Sequence, residues 1–204
     1  SREAGAYGTT VAEKLTEYLT KLERRKSCPW TLFEKELLAT VAQEHDLPLE
    51  MLSYFPESTV TAIEAILEEL FKIHPSQYNM AQKVGQTSIH LAQLGNCVLL
   101  GRGANIVTAK FPFGVHVRLI ASLAKRTAHI QEHFGFDEAR AKEFIRHHDS
   151  DRRNFIRRHF NKDINDAHLY DLVINMDQIS VDETVSMIGD LVFKKNQTPR
   201  GNSD

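Results

Sequence analysis

The sequence is short of the features that settle a protein's class at a glance. Among 204 residues there are only two cysteines, Cys28 and Cys97, and Cys97 sits inside an apolar run. Two cysteines so placed make no disulfide framework, which sets aside the small secreted scaffolds and favours a reducing compartment. No apolar run reaches the roughly 18 residues that a membrane-crossing helix needs. Neither sign of charge dominates: 25 Lys and Arg against 27 Asp and Glu leave a formal net charge of -2. That balance argues against a general nucleic-acid binder and leaves room for a local basic patch. There is no internal repeat and no low-complexity run. These absences predict a cytoplasmic protein without membrane or nucleic-acid partners, in which self-association is open. The opening at Ser1, in loop-like sequence, is expected of a segment of a longer protein.

What is present reads as alternating strands and helices. Cys97-Val98-Leu99-Leu100 is a short unbroken apolar run, as expected of a strand buried on both faces, and it stops at Gly101-Arg102-Gly103. Trp30–Phe33, Val115–Ala121 and Leu172–Asn175 read as further strands. Helical spacing appears from Val11 through Leu15 and Leu19, from Glu34 to His45, around Ile63–Phe71 and from Tyr78 to Leu94. It returns from Leu123 to His133 with Ser122 as N-cap, from Asp137 onward, and from Ser180 to Phe193. The alternation predicts βαβ units and a parallel sheet. One domain is expected over residues 1–195, with a helical insertion at 34–94, a lid-like segment at 137–162 and a disordered tail at 196–204.

Three stretches carry candidate chemistry. Arg102 stands at the carboxyl end of a strand, where open α/β sheets bind ligands, and its planar fork suits a phosphate. An ordinary strand-to-helix loop with its Arg in water is the alternative. The opening Ser1–Thr10 places Gly5 and Gly8 before a helix, an arrangement able to hold an anion on backbone N–H groups. Against the pattern G-x-x-x-x-G-K-[ST], Gly8 and Thr10 match, while Glu3 and Thr9 replace the first glycine and the lysine. A plain turn is the alternative there. Residues 146–160 concentrate arginines; on a helix they would either neutralise a triphosphate or form a solvated face with pairs such as Asp149–Arg153.

Taken in order, these stretches resemble the cytidylate kinase-like family of P-loop proteins, a branch of the nucleoside monophosphate kinases. The resemblance rests on Ser1-Arg2-Glu3 with Gly5 and Gly8, the run Phe33–Leu38, Val98–Ala104, and Ala121–Arg126. It continues through Asp149-x-x-Arg152 with its following aromatics to Tyr170–Asn175, and so spans nearly the whole chain. It implies a three-layer α/β/α core with a mostly parallel five-stranded sheet, its first strand upstream of Ser1, and a helical lid. It further implies an ATP-dependent kinase using Mg2+ and acting on a nucleoside monophosphate or similar acceptor.

In that resemblance Gly5, Ala6, Tyr7, Gly8, Thr9 and Thr10 hold the ATP phosphates, with Mg2+ near Thr10. Arg2, Glu36 and Arg102 serve the acceptor, and Arg126, Arg152 and Arg157 are the catalytic cations. The chain departs from the family pattern in four places. Thr9 stands for a basic residue, Tyr7-Gly8 for two adjacent glycines, Glu34-Lys35 for Asp-Arg, and Gly103 for an Asp after Arg102. The Thr9 departure motivates a second reading, a nucleotide-binding or regulatory module that has lost transfer activity.

Overall fold

The computed structural model describes residues 1–23, 29–34, 78–101 and 103–197. Helix α1 (Gly8–Leu22) opens directly from the glycine loop, earlier than the apolar spacing from Val11 indicates. Its Val11, Leu15 and Leu19 fall on one face and are buried. Strand β1 (Thr31–Phe33), helix α2 (Tyr78–Leu94), strand β2 (Cys97–Leu99) and the short helix α3 (Ala104–Val107) follow. Then come β3 (Val117–Ile120), α4 (Leu123–Phe134), α5 (Glu138–Phe160), β4 (Leu172–Asn175) and α6 (Val181–Gln197). Helix α6 runs through Asn196 to Gln197, two residues into the segment expected as a tail, and the rest of that segment lies outside the described residues.

The fold is mixed α/β with short parallel strands. β1 pairs with β2, placing Leu32 opposite Val98, and β3 pairs with β4, placing Leu119 opposite Ile174. On the other edge of β3, Arg2 bridges Leu119 in parallel, with Glu3 N donating to Leu119 O and Leu119 N to Ser1 O. Ser1 to Glu3 are therefore extended, and the glycine loop begins at Ala4. Among the described residues there are two two-stranded sheets, and the continuous five-stranded sheet is not formed. The expected helices at 34–45 and around 63–71 fall largely or wholly outside the described residues.

The alternation of β3 divides the interior. Leu119 joins Val11, Leu15, Ile174, Met176 and Ile188 in the core between the strands, α1 and α6. A second core gathers Ile89, Ile106, Val107, Ile156 and Phe160 from α2, α3 and α5. A third joins Ile130 of α4 to Ala141 and Ile145 of α5. This third core seats the arginine-bearing helix α5 against α4, next to the glycine loop. Ser122 and Asp137 cap α4 and α5, their side chains accepting from Lys125 N at 3.3 Å and Arg140 N at 2.8 Å. A cavity of about 620 Å3 opens among α1, β2, β3 and α5, with Arg2, Gly101, Gly103 and Arg152 in its lining.

Candidate functional site

The loop from Ala4 to Tyr7 turns the chain from its extended opening into α1. Gly5 adopts φ +81°, and a Cβ there would lie 2.7 Å from Arg126 O, so only glycine lets the loop settle against α4. Tyr7, the N-cap of α1, sits at φ 58°, the left-handed region that costs a side chain of this size about 1–2 kcal/mol. Its ring stacks on His129 with centroids 3.9 Å apart and planes at 17°. His129 in turn donates from Nδ1 to Gly5 O at 2.9 Å. The chain thus places an aromatic at a left-handed position and holds it there with α4. Tyr7 provides no side-chain cap, so the first-turn amides of α1 are without that acceptor, the arrangement that attracts an anion.

One carboxylate organises the charges over this loop. Asp149 Oδ1 accepts from Ala4 N at 2.7 Å and lies 3.4 Å from Arg152 Nη1, while Asp149 Oδ2 lies 2.6 Å from Arg126 Nη1. Arg126 also donates to Ala121 O at 3.0 Å and to Ala4 O at 3.3 Å, and its Nε lies 3.5 Å from Glu3 Oε2. Glu3 Oε2 accepts from Ala121 N at 3.0 Å, tying the loop to the carboxyl end of β3. The Arg126 side chain is 11% exposed and that of Asp149 19%, so the pair is little screened by water. Lys125 donates to Met176 O and stands 5.9 Å from the Tyr7 ring centroid.

The structure brings Arg126 and Arg152 together with Gly5, Ala6, Tyr7 and Gly8. Arg2 runs beneath the loop: a Cβ on Gly8 would lie 2.5 Å from Arg2 Cγ, and one on Gly101 2.9 Å from Arg2 Nη1. Thr9 is exposed, and Thr10 is half-buried in the first turn of α1. Arg157 is exposed on α5 and makes none of the loop contacts. Glu36 and Arg102 lie outside the described residues.

Sequence reading paired Asp149 with Arg153 four residues on. The fold instead turns Asp149 toward Arg152 and toward Arg126, 23 residues away, and leaves Arg153 exposed. The i,i+3 spacing of Asp149 and Arg152 was the available signal. Nothing in the local pattern announces the Arg126 and Ala4 partners.

Burial pushes the Cys97 thiol up to about 11, and its Sγ donates to Leu91 O at 3.3 Å, so it is a packed side chain and no thiolate nucleophile. No group of three His, Cys, Asp or Glu converges as a metal cage among the described residues. No helix among them is long and apolar enough to cross a membrane.

Fold and site together define a class: an α/β protein whose glycine loop opens a helix beneath an arginine-bearing second helix. The chain belongs to the cytidylate kinase-like family, whose model matches residues 1–178. A kinase-type, nucleotide-directed function is what that family suggests. The fold is similar to the crystal structure of an uncharacterized protein from Eubacterium ventriosum ATCC 27560. The two share 22% identity and a TM-score of 0.73, and the match covers 95% of each chain. No curated protein matches the chain.

Proposed function

We propose that the protein is an ATP-dependent phosphotransferase acting on a nucleoside monophosphate or a similar small phosphate-bearing acceptor. The observation that carries this reading is the single carboxylate, Asp149, holding Arg126 and Arg152 against the loop that opens α1. Phosphoryl transfer asks little covalent chemistry of the protein: it needs the two substrates in line and the charge on the moving group neutralised. In this reading the amides from Gly5 to Thr10 and the α1 N-terminus receive the ATP phosphates. Arg126 and Arg152 face the transferred group, and Arg157 serves as a further lid cation. The bond from the γ-phosphorus to the ADP oxygen breaks as an acceptor phosphate oxygen bonds to that phosphorus, and ADP leaves. Mg2+ usually keeps several waters and binds through substrate phosphates, which suits a site offering the Thr10 hydroxyl and, among the described residues, no carboxylate cage. The ion would neutralise phosphate charge there.

The exposed Thr9 favours the second reading, a nucleotide-binding module without transfer, because the loop itself brings no cation. One assay separates the two. Purified protein with ATP, Mg2+ and a panel of nucleoside monophosphates is expected to release ADP only when an acceptor is present. Thermal stabilisation by ATP without ADP release would leave the binding module. Neither turnover nor stabilisation would dismiss both.

A further inference from the structure

Tyr7 stands apart from the other non-glycine residues at positive φ among the described residues, Asn96 and Asn161. Asparagine visits that region readily, and a tyrosine does not. Such strain persists only where neighbouring structure holds it, and it gathers at ligand clamps. What holds Tyr7 is α4. Lys125 and His129 stand four residues apart on one face of that helix, and both meet the Tyr7 ring. His129 stacks on it with centroids 3.9 Å apart and planes at 17°, and Lys125 Nζ lies 5.9 Å from its centroid. The stack fixes the plane of the imidazole as well as that of the phenol.

With its plane set, the imidazole meets the loop at one atom. His129 Nδ1 lies 2.9 Å from Gly5 O, and because a carbonyl oxygen only accepts, Nδ1 carries the proton. The following amide is held as well, Ala6 N donating to Glu3 O at 3.2 Å. The Gly5–Ala6 peptide is thus clamped at both edges, and since the peptide is planar these two bonds together oppose its rotation. Ala4 and Ala6, on either side of Gly5, are 3% and 1% exposed and anchor the flanks. Arg126 and Asp149 grip the loop one residue earlier, at Ala4 O and Ala4 N, so the Gly5 carbonyl falls to His129. A loop held in this way has its shape before a phosphate arrives, and little ordering remains to oppose binding.

We propose that His129 is a positioning residue for ATP: with its ring set by Tyr7, its Nδ1–H holds the Gly5 carbonyl and so fixes the loop in the form that receives the phosphates. His129 acts through Gly5 and needs no contact with the nucleotide. The inference rests on the ATP-binding half of the phosphotransferase reading. It adds a residue outside the loop on which the geometry of the loop amides depends.

Calorimetric titration of the protein with ATP and Mg2+ tests it, with urea unfolding measured on each variant. His129→Phe keeps a ring against Tyr7 and removes the donor. It is expected to raise the Kd for ATP about tenfold, with the urea midpoint close to that of the wild type. His129→Asn returns a donor at the place of Nδ1 and should bring the Kd back to within about threefold of the wild-type value. A merely structural histidine would behave the other way, with a lower urea midpoint and an unchanged Kd in the folded protein. Wild-type ATP affinity in folded His129→Phe therefore overturns the inference, as does His129→Asn that recovers none of the lost affinity. Should His129→Phe fail to fold, His129→Leu takes its place under the same outcomes. Wild-type protein that binds no ATP would instead sink the phosphotransferase reading, and the inference with it.

Discussion

The two ends of β3 each carry a polar cluster, and the clusters are built differently. Before the strand, His116 N donates to Asp171 Oδ2 at 2.7 Å, and His116 Nε2 lies 2.9 Å from Thr108 Oγ1. Lys195 of α6 closes this end by donating to Asp171 Oδ1 at 2.9 Å and to Gly114 O at 2.8 Å. One carboxylate meets one ammonium, and the charges are spent on each other. Past the strand's carboxyl end, Arg126 and Arg152 share Asp149, and Glu3 lies 3.5 Å from Arg126. The first cluster ties α6 to the strands. The second gathers two guanidiniums and two carboxylates over the glycine loop.

The sharpest way to break this contrast is to remove one cation from each end. Arg126→Met strands Asp149 and Glu3 in a little-hydrated place and should cost on the order of 3 kcal/mol by urea unfolding. Lys195→Met breaks a pair whose side chains are each 30% exposed, and should cost below about 1 kcal/mol. Equal losses would show that the two clusters do the same structural work. A packing change next to the site should fall between them. Gly103 holds φ +75° against the Phe160 ring, and a Cβ there would collide with that ring. Gly103→Ala should destabilise by about 2 kcal/mol through overpacking and left-handed strain, read as a lower urea midpoint at unchanged slope.

What was legible in the sequence follows this same division. Elements declared by local chemistry were readable: β4 from Leu172–Asn175, α2 from Tyr78–Leu94, and the Ser122 cap of α4. Resemblance alone singled out Arg126 and Arg152. The pairing that unites them was not legible. Asp149 reaches Ala4 across 145 residues, and Arg118 meets Ser1 across 117, separations over which spacing rules are silent. Charge periodicity offered Asp149–Arg153 because four residues make nearly one helical turn. Tertiary packing chose the neighbouring face, since Ile145 and Ile156 bury the side of α5 that carries Asp149 inward.

Tyr7 offers a smaller and more diagnostic change at the loop end. Replacing it by glycine relieves left-handed strain worth about 1 kcal/mol and forfeits a ring stack on His129 worth about 1 kcal/mol. The two nearly cancel, so Tyr7→Gly should shift stability by less than about 1 kcal/mol, measured by urea unfolding. A larger loss would mean that the stack, and not the glycine-like turn, holds the loop in place.

The smallest expected effect separates the two ends by pH. Burial holds His116 below the ordinary histidine value, outweighing the opposing pull of Asp171, and Lys195 adds to the lowering. A folded value below the unfolded one means that the unfolded chain takes up the proton first. The penalty is therefore absent above about pH 6.5, the unfolded histidine value, and grows as pH falls toward the folded value. Asp171 behaves in a lower window. Burial acts to raise it, yet the hydrogen bonds from Lys195 and His116 N hold it below the ordinary carboxylate value, so its contribution fades only on deeper acidification. Urea midpoints should thus decline modestly between pH 7.5 and 5.5 in the wild type, and His116→Asn should flatten that decline. A decline that persists undiminished in His116→Asn would move its origin away from the amino end of β3.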